Sequence, residues 1–84
     1  MHNVKEEGGA LLRVQEIMRD VFDNDSIVLN VDMTAKDVEE WDSMNHVRLI
    51  VAIEQELGIE LPMERVNELR NVGELVHLID EVNN

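Results

Sequence analysis

Apolar side chains recur at helical spacing in three long stretches of this chain and in one short stretch between the second and third. Leu11, Val14, Ile17, Met18, Val21 and Phe22 share one face of a first helix, which the turn-rich Asp23-Asn24-Asp25-Ser26 ends. A central helix follows from Ser43 to Leu57, with Asp42 as N-cap and Gly58 as C-cap. Pro62 stops any continuation and opens a short helix over Met63 to Leu69, with Val66 and Leu69 facing inward. Val72, Leu75, Val76, Leu78, Ile79 and Val82 form the apolar face of a last helix, with Asn71 as cap and Glu74 completing a capping-box pattern. Between the first and central helices lies a long connection, about Asp23 to Trp41. There Ile27, Leu29, Val31 and Met33 alternate as a strand would. No second strand exists to pair with it, and an isolated strand leaves its backbone unsatisfied. These residues are therefore expected to pin a loop across the helices, with Thr34 capping one short turn and Val38 and Trp41 anchoring the end. The pattern predicts an all-α fold: a small bundle of three principal helices plus one short helix.

The central helix carries more apolar surface than one face needs. His46, Leu49, Ile50, Ile53 and Leu57 form one face, and Met44, Val47 and Val51 form a second, rotated by roughly a third of a turn. One face suffices to join a bundle. The second either remains exposed as a partner surface beside Ser43 or is buried as part of a wide apolar arc; the pattern leaves both open.

The chain has 84 residues, which is one domain with a modest core, residues 1–84, whose polar stretch 1–9 with Gly8-Gly9 is expected to be flexible or weakly helical. Its apolar content of 44% with 2% aromatic points to a core of Leu, Ile, Val and Met. The net charge of −12 makes nucleic acid and anionic membrane unfavourable direct partners and basic protein surfaces favourable ones. With no cysteine there is neither a disulfide framework nor thiolate chemistry of the chain's own. No apolar run is long enough for a membrane span, no secretory signal pattern is recognisable, and a cytoplasmic setting is the default.

Several chemistries can be weighed on the residues alone. An EF-hand starting at Asp23 fails, because its sixth position would be Val28 and its twelfth Thr34. His2, His46 and His77 are too scattered for a metal site, and His46 reads as a core-edge residue. A hydrolase built on Ser43, His46 and Asp42 lacks an oxyanion motif, a cleft-forming sheet and room for a substrate. Asn24-Asp25-Ser26 matches a glycosylation acceptor but carries no weight without a secretory signal.

The stretch WDSMNHVRLIVAIEQELGIEL resembles the segment around the modified serine of acyl carrier proteins, whose signature is Asp-Ser-Leu at the start of the second helix. Here it reads Asp42-Ser43-Met44, and the looser resemblance runs from about Leu11 to Val82. Met for Leu keeps an unbranched apolar side chain of similar volume. The resemblance implies a non-catalytic carrier. Ser43 would bear a 4'-phosphopantetheine arm transferred from coenzyme A by a phosphopantetheinyl transferase, with Asp42 completing the motif as helix cap. The arm would hold acyl groups as thioesters for enzymes of fatty-acid, polyketide or related lipid or surface-polymer biosynthesis. It further implies a monomer whose docking surface is Met44, Val47, Val51 and Glu54. Glu39, Glu40 and Asp42 would steer it toward enzymes with basic surfaces. The competing reading is an unmodified acidic helical protein-interaction domain in which Ser43 only starts the helix.

With 19 acidic against 7 basic side chains, carboxylate self-repulsion limits stability near neutral pH, and salt screens it. Moderate salt or millimolar divalent cation should therefore raise Tm in a thermal melt without stoichiometric binding. A single tight calcium site in calorimetry would contradict this.

Overall fold

The computed structural model describes residues 9–83. In chain order the elements are α1 (Gly9–Val21), a single 3₁₀ turn (Ala35–Asp37), α2 (Ser43–Leu57), α3 (Met63–Val66) and α4 (Val72–Asn83), with no strand among the described residues. This is the expected bundle of three principal helices and one short one. The expectation for the stretch 1–9 falls mostly on residues 1–8, outside the described residues; Gly9 opens α1.

Helix α1 packs on both α2 and α4. Val14, Ile17 and Met18 of α1 meet Leu49, Ile50 and Ile53 of α2 and Leu75, Leu78 and Ile79 of α4 in one buried cluster. Each such side chain withdrawn from water contributes about 1.5–3 kcal/mol. The remaining core comes largely from outside the long helices: Phe22, Ile27, Leu29, Val38, Trp41, Leu61 and Val66 are all buried.

Where the backbone of the long connection finds its partners explains why it is ordered without a strand. The Leu29 N–H donates to Gln15 Oε1 at 2.9 Å, and the Ile27 carbonyl accepts from Arg19 Nε at 2.7 Å, so both ends of that bend are tied to α1. The Val72 N–H donates to the Met33 carbonyl at 2.8 Å and the Gly73 N–H to the Val31 carbonyl at 2.9 Å. Orphan amides at the start of α4 thus become the connection's second anchor. The alternation predicted Ile27, Leu29, Val31 and Met33 as inward anchors. Ile27 and Leu29 are buried and Met33 is half-buried, but Val31 is exposed. A turn at Asn30, closed by Met33 N–H to Asn30 carbonyl at 3.2 Å, ends the alternation, and Val31 anchors through its carbonyl instead. Gly73 suits this contact: a Cβ there would lie 3.0 Å from the Val31 carbonyl oxygen, close enough that the loop would have to give by a few tenths of an ångström.

The caps largely follow the sequence. Thr34 caps the 3₁₀ turn, with its side chain accepting from the Lys36 N–H and the Asp37 carboxylate returning to the Thr34 N–H. Asn71 Oδ1 accepts from the Glu74 N–H at 2.8 Å, but the Glu74 carboxylate reaches back to the Arg70 amide at 2.7 Å, one residue outside the expected box. Helix α3 ends at Val66 rather than Leu69; the chain continues in tight turns through Glu68 N–H to Arg65 carbonyl and Leu69 N–H to Val66 carbonyl. Arg65 pairs with Glu81 at 2.8 Å, tying α3 to α4. Its guanidinium holds the Glu81 carboxyl below the usual carboxylate range, so this tie is present above that range and is lost as pH falls through the lowered value.

Helix α1 ends on Asp23 at φ 54°, in the left-handed region. Asp23 N–H donates to the Asp20 carbonyl and Asn24 N–H to the Arg19 carbonyl, the paired bonds of a Schellman ending that usually uses glycine. Asp tolerates this backbone better than most residues but not without cost. Asp23→Gly should therefore raise stability by about 0.5–1 kcal/mol in a denaturant melt; a lower midpoint would show that the Asp side chain stabilises the turn beyond its backbone cost.

Candidate functional site

The start of α2 is built from its cap outward. Asp42 has extended backbone, and its Oδ1 accepts from the Asn45 N–H at 2.8 Å. The Asp42 N–H donates to the Glu40 carbonyl at 3.0 Å, and the Asp42 carbonyl accepts from the His46 N–H at 2.8 Å as the first bond of the helix ladder. Two of the orphan amides at this helix start are thereby satisfied, leaving those of Ser43 and Met44. Asn45 Nδ2 donates to the Glu40 carbonyl at 2.8 Å, and Glu40 Oε2 accepts from Asn24 Nδ2 at 2.9 Å. The segment before Ser43 is therefore fixed to both the helix it enters and the turn that follows α1.

Trp41 is 7% exposed, as its anchoring role requires. Its Nε1 donates to His46 Nδ1 at 2.9 Å, and the two rings stack with centroids 6.0 Å apart. An indole N–H is only a donor, so His46 accepts at Nδ1 and carries its proton on Nε2. His46 is half-buried, the core-edge position expected, but its link to Trp41 had no signal in the sequence.

Ser43 is exposed, at the first position of α2, and no protein group among the described residues bonds its hydroxyl. Beside it opens a groove of about 510 Å³ between the start of α2 and the segment joining α3 to α4. Trp41, Ser43, His46 and Val47 line one side of it. Val66 and Leu69, with Asn67, Arg70 and Asn71, line the other. Asn67 and Arg70 are absent from any sequence-level site, because nothing in the local pattern says that the α3–α4 segment folds back to the start of α2.

The two faces of α2 separate cleanly. Leu49, Ile50 and Ile53 are buried, while Met44, Val47 and Val51 are 74%, 56% and 44% exposed, and Met63 at the start of α3 adds to the exposed apolar surface. Of the acidic residues placed near Ser43, Glu39 and Asp42 are exposed and Glu40 is half-buried in its bond to Asn24. Glu54 is differently employed: its carboxylate accepts from the Leu61 N–H at 2.8 Å and its carbonyl from the Gly58 and Ile59 amides. It holds the exit of α2 in place. Among the described residues there is no group of three His, Asp or Glu side chains placed to hold a metal ion, and no helix is long and apolar enough to cross a membrane.

An exposed hydroxyl with no protein partner, two unfilled helix-start amides and an adjoining groove fit a covalently attached phosphodiester. The family model described as a phosphopantetheine attachment site matches residues 12–79. An acyl carrier protein of Clostridium acetobutylicum is 31% identical over 67 residues, 80% of this chain and 87% of that protein. An acyl carrier protein homolog of Ureaplasma parvum is 23% identical over 73 residues, 84% of this chain and 95% of that protein. The solution structure of a holo acyl carrier protein from Geobacter metallireducens superposes with a TM-score of 0.81 at 40% identity, covering 87% of this chain and 84% of that one. Covalently attached phosphopantetheine is accordingly the cofactor, which sets aside the reading as an unmodified interaction domain. The chain belongs to the phosphopantetheine-attachment family and is an acyl carrier protein, a carrier without catalytic activity of its own.

Proposed function

We propose that Ser43 is the attachment residue and that the exposed face of α2 is where partner enzymes dock. The observation that carries this reading is the placement of the Ser43 hydroxyl: exposed, unpartnered and first in a helix whose cap, Asp42, is already engaged with Asn45. Ser26, by contrast, donates its hydroxyl to Asn24 Oδ1 at 2.7 Å within a turn. When bound, the group supplies a terminal thiol that holds acyl cargo as a thioester. Everything else is done by the chain: α2 presents the attachment point, the buried face holds the helix still, and the exposed face meets the partner.

Acyl carrier proteins engage a phosphopantetheinyl transferase and acyl-handling enzymes. For this chain the docking surface is Met44, Val47 and Val51, with Met63 continuing it. Glu39, Glu40 and Asp42 at its edge add a negative field that speeds encounter with basic partners. Glu54 is left out of that surface because its carboxylate is engaged with Leu61. Residues 1–84 form one domain, which acts as a monomer in the cytoplasm. It serves fatty-acid, polyketide or related lipid or surface-polymer assembly, whose intermediates travel as thioesters.

Four variants test this reading. Ser43→Ala should keep the helical circular dichroism and lose all labelling by a phosphopantetheinyl transferase with coenzyme A; labelling that persists would sink the assignment. Val47→Glu and Val51→Glu alter exposed positions and should change stability by no more than about 0.5 kcal/mol. They should slow labelling at least about tenfold, equivalent to ~1.4 kcal/mol of docking free energy. Ile53→Glu places an unpaired charge in the core at a cost of about 3–5 kcal/mol and should unfold most of the chain. Folded Val variants that label at the normal rate would move the docking surface elsewhere.

A further inference from the structure

The exposed face of α2 carries a charge opposite in sign to the chain as a whole. By helical spacing Met44, Val47, Arg48, Val51 and Gln55 share that face. Arg48 is exposed, one turn after Met44 and one turn before Val51, and so lies among the apolar residues rather than at their edge. The two acids of α2 are placed otherwise. The Glu54 carboxylate accepts from the Leu61 N–H, and Glu56 lines a groove against α1 with Arg13 and Glu16.

Nothing within the fold employs this guanidinium. An acid three or four residues away on the helix would pair with it, but those positions are Met44, Asn45, Val51 and Ala52. The ion pairs among the described residues both converge on Glu81, and Arg48 takes part in neither. Arg19 and Arg65, by contrast, are engaged with the Ile27 carbonyl and with Glu81. The helix dipole favours cations in the last turn, and Arg48 stands in the second. A chain with 19 acidic side chains thus leaves this one cation unpaired on the surface proposed for docking.

We propose that Arg48 is a specificity-determining residue: it selects partner enzymes that set a carboxylate within an otherwise basic carrier-binding surface, and disfavours those whose surface is basic throughout. The proposal rests on the exposed face of α2 as the docking surface. A partner that covers Met44 and Val51 also covers Arg48, which lies between them. A guanidinium covered without an acceptor is costly, and one facing another cation more so. Opposite a carboxylate it forms a bidentate, charge-assisted pair. Glu39 and Asp42, exposed at the N-terminal edge, still favour basic groups there. The partner's charges therefore have to alternate along α2, which a purely acidic carrier face would not demand.

The test measures labelling of the full chain by a phosphopantetheinyl transferase whose carrier-facing surface is basic throughout, with coenzyme A, at low salt. Arg48→Glu should keep the wild-type circular dichroism and melting curve and raise kcat/KM roughly tenfold, through KM, with Arg48→Gln in between. Arg13→Glu makes the same change in net charge on α1 and should gain far less. At 1 M salt, where the Debye length is about 3 Å, the gain of Arg48→Glu should shrink toward none. The basic residues of the transferase surface are then replaced by Glu one at a time. One such replacement should invert the preference, labelling the wild type faster than Arg48→Glu. Arg48 variants that label at the wild-type rate, an equal gain in Arg13→Glu, or no replacement that inverts the preference overturns the selective role alone, provided Val47→Glu and Val51→Glu label slowly. If those two label at the normal rate, the docking reading falls and the role of Arg48 falls with it.

Discussion

Two hydrogen bonds, from the Val72 and Gly73 amides to the Met33 and Val31 carbonyls, hold the long connection against the start of α4. Helix starts carry amides that the helix cannot satisfy, and a long loop carries carbonyls that a sheet would otherwise satisfy. Each solves the other's problem. With its middle fixed, the connection can bury Ile27 and Leu29 on one side of the contact and Val38 and Trp41 on the other. Trp41 in turn bonds His46, and the Glu40 carbonyl accepts from Asn45, so the position of Ser43 is fixed by a chain of contacts that begins at the start of α4.

That arrangement lets α2 serve two purposes. Its inner face, Leu49, Ile50 and Ile53, is immobilised by α1. Its outer face, Met44, Val47 and Val51, stays in solvent at a cost of exposed apolar surface that a purely structural helix would not need. A carrier must be handed from enzyme to enzyme, so contact surface held ready on a rigid helix is consistent with its family. In the docking role proposed above, the acidic residues around the same end would favour basic partners.

The helices were legible because their apolar spacing is regular and their caps are ordinary: Asp42, Gly58, Thr34 and Asn71 all cap where the sequence placed them. Ser43 at the head of α2 was legible from its motif. What could not be read is what depends on distant parts of the chain meeting. Val31 looked like an inward anchor because alternation extends through it, yet a turn at Asn30 swings its side chain outward. Glu54 was expected on the docking surface with Met44, Val47 and Val51, and nothing local signals that the bend after Gly58 returns the Leu61 N–H to its carboxylate. The groove wall of Asn67, Arg70 and Asn71 has no local signature at all, since only the fold brings it beside Ser43.

The central physical claim is that the connection is a fixed strut and not a slack tether, and amide hydrogen exchange of the unmodified chain tests it directly. The amides of Leu29, Asn45, Val72 and Gly73, each bonded to a side chain or carbonyl outside regular helix ladders, should exchange as slowly as interior amides of α1 and α2. Exchange of these four at the rates of an unfolded peptide, while the helices stay protected, would mean that the bundle stands without the strut and that Ser43 is positioned by α2 alone.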